Sequence, residues 1–258
     1  MKIAVITVAG ISSRFNENQD RKVLKAIYFQ QDPHKTLLFR QCQQCSDMDK
    51  IIIVGGYQYD ELLKYVATEI PKPLKDKILL VCNQRYNDLS SGYSLYIGLQ
   101  ETFRICATKD IEIIFLEGDL ALDDISLHHV MDAKADVLTY NREVIDSRKS
   151  VIFYEDENGM YQYVFNREHG LLQIDKPFIR MWNSGQVWKF TDMDKLELAV
   201  KNFLSYAVGG TNLEIIQRYF DQLENRSILV MPFQYWYNCN TREDWNYLNE
   251  HRFLEVLA

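Results

Sequence analysis

The feature that most constrains this chain is an alternation of two periods. Short apolar runs at residues 3–8, 51–54, 78–81 and 113–116 are separated by segments at 36–45, 60–69 and 91–103 whose apolar residues recur every three or four positions. An uninterrupted run of this length fits a strand buried on both faces, and the three-four spacing is one face of a helix. Strand, helix, strand repeated three times predicts a parallel sheet with right-handed crossovers. The expected fold class is α/β: a Rossmann-like, mixed, mainly parallel sheet flanked by helices. From about residue 136 the texture changes. Segments at 137–140, 150–154, 161–165 and 178–182 are short and β-rich, with the turn signal Glu157-Asn158-Gly159 between two of them, which predicts a small antiparallel β extension. Helical patterns return at 192–206 and 212–223, then a strand at 227–231 and a last helix at 241–256.

A chain of 258 residues permits one or two domains. With 5 Pro, 11 Gly, no internal repeat and no low-complexity stretch, nothing marks a linker, so a single domain over 1–258 is expected. The net charge of −7, with no block of Lys or Arg longer than two, excludes the basic footprint that a nucleic-acid backbone demands. No stretch approaches the ~20 apolar residues of a membrane span, so no membrane insertion is expected. The five cysteines, Cys42, Cys45, Cys82, Cys106 and Cys239, are an odd number in apolar or helical contexts, which suits a reducing cytoplasm. The Cys42-x-x-Cys45 pair has no second pair at metal-like spacing and reads as structural.

Three places could carry chemistry. The first apolar run leads into Ala9-Gly10-Ile11-Ser12-Ser13-Arg14. Small side chains there let backbone N–H groups approach a phosphate, and Arg14 can grip it with a forked, charged contact; an ordinary polar βα loop explains the same residues. Lys25 follows eleven residues later, close enough to return to that phosphate as a point charge. The run at 113–116 ends in Glu117-Gly118-Asp119, an acid where parallel α/β sheets place ligands. Asp119 suits a hard cation, or serves as a loop acid ahead of Asp123-Asp124. Thr241 ahead of Glu243 and Asp244 suggests a capping box in which Glu243 takes part.

In order and spacing these segments resemble the nucleotidyltransferases with a GT-A-like fold, and among them the small cytidylyltransferases that act on phosphocholine and sugar phosphates. The family's G-x-G-S/T-R signature is matched by Gly10-Ile11-Ser12-Ser13-Arg14, and its Pro-Lys-Ala-Leu element by Leu24-Lys25-Ala26-Ile27. Ser12 replaces the second glycine and Leu24 the proline. Val54-Gly55-Gly56-Tyr57 is similar to the strand ending in Val-Gly-Tyr, and Asn83 through Tyr93-Ser94-Leu95 to the segment that faces the nucleobase. Ser90 and Ser91 stand where the phosphocholine branch tends to carry paired asparagines. Gly118-Asp119 resembles the metal-side Gly-Asp, Trp182-Asn183-Ser184-Gly185 the strand that closes the acceptor pocket, and Asn238-Cys239-Asn240-Thr241-Arg242-Glu243-Asp244 the closing Asp-x-Asp-Thr-x-Glu-Asp, with Asn240 in place of the last metal-side acid.

The resemblance implies a cytoplasmic, Mg²⁺-dependent nucleotidyltransferase that moves a nucleoside monophosphate, CMP from CTP being favoured, to a small phosphorylated acceptor and releases pyrophosphate. It assigns Arg14 and Lys25 to catalysis, Ala9, Gly10, Ser12, Ser13, Asn83, Ser90, Ser91, Ser94 and Gly118 to the nucleotide, and Trp182, Ser184 and Gly185 to the acceptor. Asp119 and Asn240 would hold the metal. Residues 1–135 then form the nucleotide-binding half and 136–258 the acceptor half with closing helices, and a homodimer is compatible with it. The alternatives are a GT-A glycosyltransferase using a sugar nucleotide and a nucleotide-binding homologue without catalysis. The aromatics of the second half, Tyr140, Tyr154, Tyr161, Tyr163, Trp182, Trp188, Trp236 and Tyr237, could cage a quaternary ammonium or simply fill half-buried strands.

Overall fold

Ile3, Ala4, Val5 and Ile6 are buried on both sides of the backbone, and this places the first strand at the centre of the molecule. The computed structural model describes residues 1–147, 149–165, 173–174, 176–224 and 227–254. Its elements run β1 (Lys2–Thr7), α1 (Leu37–Gln44), β2 (Lys50–Gly55), α2 (Tyr59–Glu69), a short α3 (Lys72–Lys75), β3 (Ile78–Cys82), α4 (Ser91–Ile105) and β4 (Glu112–Glu117). There follow β5 (Leu120–Leu122), α5 (Asp124–Asp132), β6 (Asp136–Asn141), β7 (Ile152–Asp156), β8 (Tyr161–Tyr163) and β9 (Phe178–Phe190). The chain continues through α6 (Met193–Tyr206), α7 (Leu213–Phe220), β10 (Ile228–Pro232), β11 (Trp236–Asn238) and α8 (Arg242–Glu250).

The main sheet has the order β10-β6-β9-β4-β1-β2-β3. Pairing is parallel from β4 through β1 and β2 to β3, as the apolar runs predict. β9 enters antiparallel between β4 and β6, which makes the sheet mixed. The first half of β9 pairs with β7, and β7 with β8, forming the antiparallel extension. Side chains alternate along β1: Ala4 and Ile6 pack under α1, α2 and α5, while Ile3 and Val5 pack under α4, α6 and α7. Helices cover both faces, so each of these four side chains meets an apolar layer. A smaller cluster of Phe15, Leu37, Cys239, Trp245 and Leu248 fastens α8 over the loops after β1.

Two strand expectations needed correction. The one at 178–182 continues to Phe190, because Asn183-Ser184-Gly185-Gln186, polar and glycine-containing, is not a stop but a bulge. Leu138 pairs with Trp188 and Tyr140 with Ser184, so Thr139 alone faces three residues of β9. Thr139 fills that irregularity by donating from Oγ1 to the Val187 carbonyl at 2.6 Å and accepting the Val187 N–H at 3.2 Å. A Cβ on Gly185 would lie 2.6 Å from Thr139 Oγ1, which is why a glycine stands there. Beyond the bulge Trp188 is fully buried, stacked on Phe115 at 5.2 Å, with its indole N–H donated to Tyr163 at 2.6 Å. The segment expected as a strand at 161–165 ends at Tyr163. In the last helix, residues 255–256 of the expected span lie outside the described residues. Its capping box closes on Asp244, not Glu243: Thr241 Oγ1 accepts the Asp244 N–H at 3.1 Å and Asp244 Oδ2 accepts the Thr241 N–H at 2.8 Å.

Candidate functional site

The loops that follow β1 and β4 at their carboxyl ends border a cavity of about 240 Å³. Thr7 through Gly10 and Ser12 form one wall, Glu117, Gly118 and Asp119 another, and Ser90, Ser91 and Ser94 at the start of α4 a third. Ser12 has φ 55, a left-handed backbone that glycine adopts without cost. The serine standing there offsets part of that cost by accepting the Lys25 N–H at 3.3 Å. Lys25 is brought back by Asn16, which is buried; its amide donates to the Val23 carbonyl at 2.8 Å and its Oδ1 accepts the Val23 N–H at 2.9 Å. The intervening loop is thereby closed, and Lys25 Nζ reaches Asp119 Oδ2 at 3.0 Å.

A second, larger cavity of about 670 Å³ adjoins the first, and Glu117 and Asp119 border both. Its walls include Arg14, Glu143, Lys149, Asn183, Gln186, Trp236, Tyr237, Asn238 and Asn240. Asn240 lies just past the β5–β11 ribbon, whose pairing brings it alongside Asp119: the Cys239 N–H donates to the Asp119 carbonyl at 2.8 Å. Arg14 Nη2 donates to Asn240 Oδ1 at 2.8 Å. Arg242 holds the Arg14 loop to α8, with its guanidinium 4.4 Å from the Phe15 ring, 3.7 Å from the Tyr28 ring, and its Nε donating to the Phe15 carbonyl at 3.2 Å.

The electrostatics centre on two acids. Glu117 Oε1 accepts the Asn212 amide and Oε2 the Gln186 amide, each at 2.7 Å. Burial, and then the neighbouring Asp119 charge, push its carboxyl up to about 8, against the two amides and Lys25. Asp119 Oδ1 is buried with no donor, and so is Asn238 Oδ1. Unsatisfied oxygens on residues that line a polar cavity are what a hard cation or its waters would complete, so the donor set fits Mg²⁺ at Asp119. Asn240 fits more weakly, because its oxygen is engaged by Arg14. Among the described residues no group of three or more His, Cys, Asp and Glu is placed to hold a metal. Cys239 is buried and its thiol is pushed up to about 12 by that burial, so it offers no thiolate. Cys42 and Cys45 are likewise buried, with burial the main cause of their raised thiols.

Of the residues assigned from sequence, Ala9, Gly10, Ser12, Lys25, Ser90, Ser91, Ser94, Gly118 and Asp119 line the smaller cavity, and Arg14, Asp119 and Asn240 the larger. Asn83 is one layer behind, donating its amide to Ser94 Oγ at 2.9 Å. Ser13 opens the turn at Arg14 and lines neither cavity. Trp182, Ser184 and Gly185 are not on the wall either. Trp182 stacks on Phe153 at 5.1 Å, Ser184 is buried and accepts the Gln186 N–H at 3.1 Å, and Gly185 sits under Thr139. Because of the bulge, β9 presents Asn183 and Gln186 to the cavity in their place. Of the eight aromatics only Trp236 and Tyr237 reach it, so the side chains do not form a ring cage. Sequence reading missed Glu117, Gln186 and Asn212. Glu117 carried a signal, an acid at a strand end; the other two carried none.

Among the described residues no helix is long and apolar enough to cross a membrane. The fold is that of solved nucleotidyltransferases. The structure of the inositol-1-phosphate CTP transferase from T. maritima superposes with a TM-score of 0.66 at 14% identity, covering 100% of this chain and 98% of that one. The CTP:phosphocholine cytidylyltransferase from Streptococcus pneumoniae superposes with a TM-score of 0.62 at 17% identity, covering 97% and 99%. A search of curated protein sequences finds no match. A family model does match residues 21–252, nearly the whole chain including Lys25, Glu117, Asp119 and Asn240, and the chain therefore belongs to that family, described as a domain of unknown function (DUF6564).

Proposed function

We propose that this protein is a nucleotidyltransferase that transfers a nucleoside monophosphate, CMP from CTP being favoured, to a small phosphorylated acceptor and releases pyrophosphate. The observation that carries this reading is the meeting of two cavities at Glu117 and Asp119, with Lys25 in the smaller and Arg14 in the larger. A reaction between two phosphates needs such a junction. The acceptor phosphate must approach the α-phosphorus of the triphosphate in line, and at an effective dielectric near 20 each pair of unit charges at 4 Å costs about 4 kcal/mol. The larger cavity is itself acidic, with Asp119, Glu143, Asp146 and Asp244 against Arg14 and Lys149. Positive charge is needed where the phosphates meet.

Arg14 would grip phosphate oxygens with two N–H groups, and Lys25, freed from Asp119, would neutralise the departing pyrophosphate. Backbone N–H groups of the Ala9 to Ser12 loop approach the phosphates, and the serines at the start of α4 face the nucleoside. Asp119, with Asn240, would hold Mg²⁺, which when bound supplies charge neutralisation at the reacting phosphate. No protein nucleophile is required; the chain's contribution is orientation, charge and exclusion of water.

The direct test is pyrophosphate release from CTP with Mg²⁺ against a pool of phosphocholine, 2-aminoethylphosphonate, glycerol phosphate and sugar 1-phosphates, with product masses read. A new CDP-conjugate is the expected result. The same pool with ATP, GTP and UTP follows if none forms, and no product with any of the four overturns the reading in favour of a nucleotide-binding homologue or a glycosyltransferase.

A further inference from the structure

Glu117 borders both cavities, and its two oxygens are divided between them. Oε2 holds Gln186, which lines the larger cavity; Oε1 holds Asn212, which is buried behind the smaller one. Asn212 in turn fixes Ser91 on the nucleotide wall: its backbone N–H donates to Ser91 Oγ at 3.2 Å, and its Oδ1 accepts the Ser91 hydroxyl at 3.3 Å. On the other side Gln186 Oε1 accepts the Asn238 amide at 3.4 Å. The chain of bonds has a direction. Asn238 donates to Gln186 and Ser91 to Asn212, and both amides then donate to the two oxygens of the one carboxyl group. Accepting from both, that group fixes which way each amide faces.

Backbone geometry supports a built arrangement. Gln186 has φ 52, a left-handed conformation unusual for a residue with a side chain, and it stands in the β9 bulge. Such conformations persist where the surroundings over-determine them. Here the Ser184 hydroxyl, the Thr139 plug and Glu117 do so together. The bulge turns out a side chain that an unbroken strand would aim elsewhere.

We infer that Glu117 is a positioning residue that ties the acceptor wall to the nucleotide wall, so that Gln186 in one cavity and Ser91 in the other are oriented by a single carboxyl group and each cavity's affinity depends on the other's side chains. This rests on the nucleotidyltransferase reading for the identity of the two ligands. Coupling of this kind is reciprocal for binding, so nucleotide affinity alone can report it.

The experiment is calorimetric titration of the full chain with CTP and Mg²⁺. Glu117→Gln sets an amide against two amide donors and is expected to weaken binding about tenfold, the cost of leaving one buried donor unsatisfied. Gln186→Ala, although Gln186 faces the other cavity, is expected to weaken it about threefold, and to have no further effect in the Glu117→Gln background. The reciprocal swap Glu117→Gln with Asn212→Asp restores a donor–acceptor pair without changing net charge, and should return the affinity to within about threefold of the wild type. A role limited to scaffolding would not be rescued by that swap. If Glu117→Gln fails to fold by circular dichroism, Gln186→Ala carries the test. Unchanged CTP affinity in Gln186→Ala, or a folded swap that stays as weak as Glu117→Gln, overturns the inference and leaves the nucleotidyltransferase reading standing. A wild-type chain that binds none of CTP, UTP, ATP and GTP overturns that reading and this inference together.

Discussion

Lys25 Nζ lies 3.0 Å from Asp119 Oδ2, so the cation proposed to meet a triphosphate and the carboxylate proposed to meet a metal neutralise one another at the smaller cavity. Both side chains are largely buried, 15% and 23% exposed, which makes each depend on a counter-charge. A triphosphate arriving with a cation would exchange this internal pair for two external ones. Asp119→Ala is therefore expected to lower pyrophosphate release by about a hundredfold or more in a chain that still folds by circular dichroism, with a lower melting temperature because Lys25 loses its counter-charge. Retained turnover in a stopped assay would remove Asp119 from the proposed metal site.

The second oxygen of the proposed metal site is the neutral amide of Asn240, held by Arg14. Asn240→Asp would supply a charged, harder oxygen at the same place. The Mg²⁺ concentration for half-maximal activity should fall several-fold, measured by titrating Mg²⁺ at saturating CTP. An unchanged requirement would mean that residue 240 does not touch the ion.

Ser12 occupies a left-handed position, φ 55, in the loop after β1. Ser12→Ala keeps the strained backbone and loses the bond from the Lys25 N–H, whereas Ser12→Gly relieves the strain. Urea unfolding should find Ser12→Gly the more stable of the two variants by about 1 kcal/mol. Equal stabilities would show that the loop relaxes out of this conformation at no cost.

Gly185 packs under Thr139, where an added methyl would meet Oγ1 at 2.6 Å and Phe233 at 3.0 Å. Gly185→Ala is expected to destabilise the protein by about 1–3 kcal/mol in urea unfolding, because the bulge cannot widen without breaking the Thr139 bonds to Val187. The variant should also lose acceptor affinity, since the bulge aims Gln186. Wild-type stability would argue that β9 re-registers freely.

Acid sensitivity should trace to Asp124. Burial raises its carboxyl, but the Gln44 amide and the Arg40 guanidinium, the latter at 2.7 Å, outweigh that and hold it below the ordinary range. A depressed carboxylate contributes stability above its unfolded pKa of about 3.9 and loses it as pH falls through the lower folded value. The stability gap between wild type and Asp124→Asn should be full at pH 7 and narrow steadily below pH ~4. A gap independent of pH would assign Asp124 a role in packing alone.

The parts of this protein that were legible in its sequence are those set by local periodicity. Ile3 to Ile6, Ile51 to Val54 and Ile113 to Leu116 are apolar on both faces and so had to be central strands, and the acid at a strand end, Asp119, had to lie where an α/β sheet opens. The family resemblance also marked Arg14, Lys25 and Asn240. What the sequence could not show was which side chains turn toward the cavity, because that depends on register and not on residue type. A one-site irregularity opposite Thr139 puts Gln186 on the wall in place of Gly185, and the length of α6 and its turn, not any motif, delivers Asn212 to Glu117 from 95 residues away. Long-range pairing of polar groups leaves no periodic trace, since each partner is an ordinary Asn, Gln or Glu until the sheet brings them within 3 Å. Composition and period determined the scaffold, and tertiary register alone decided the two walls of the site.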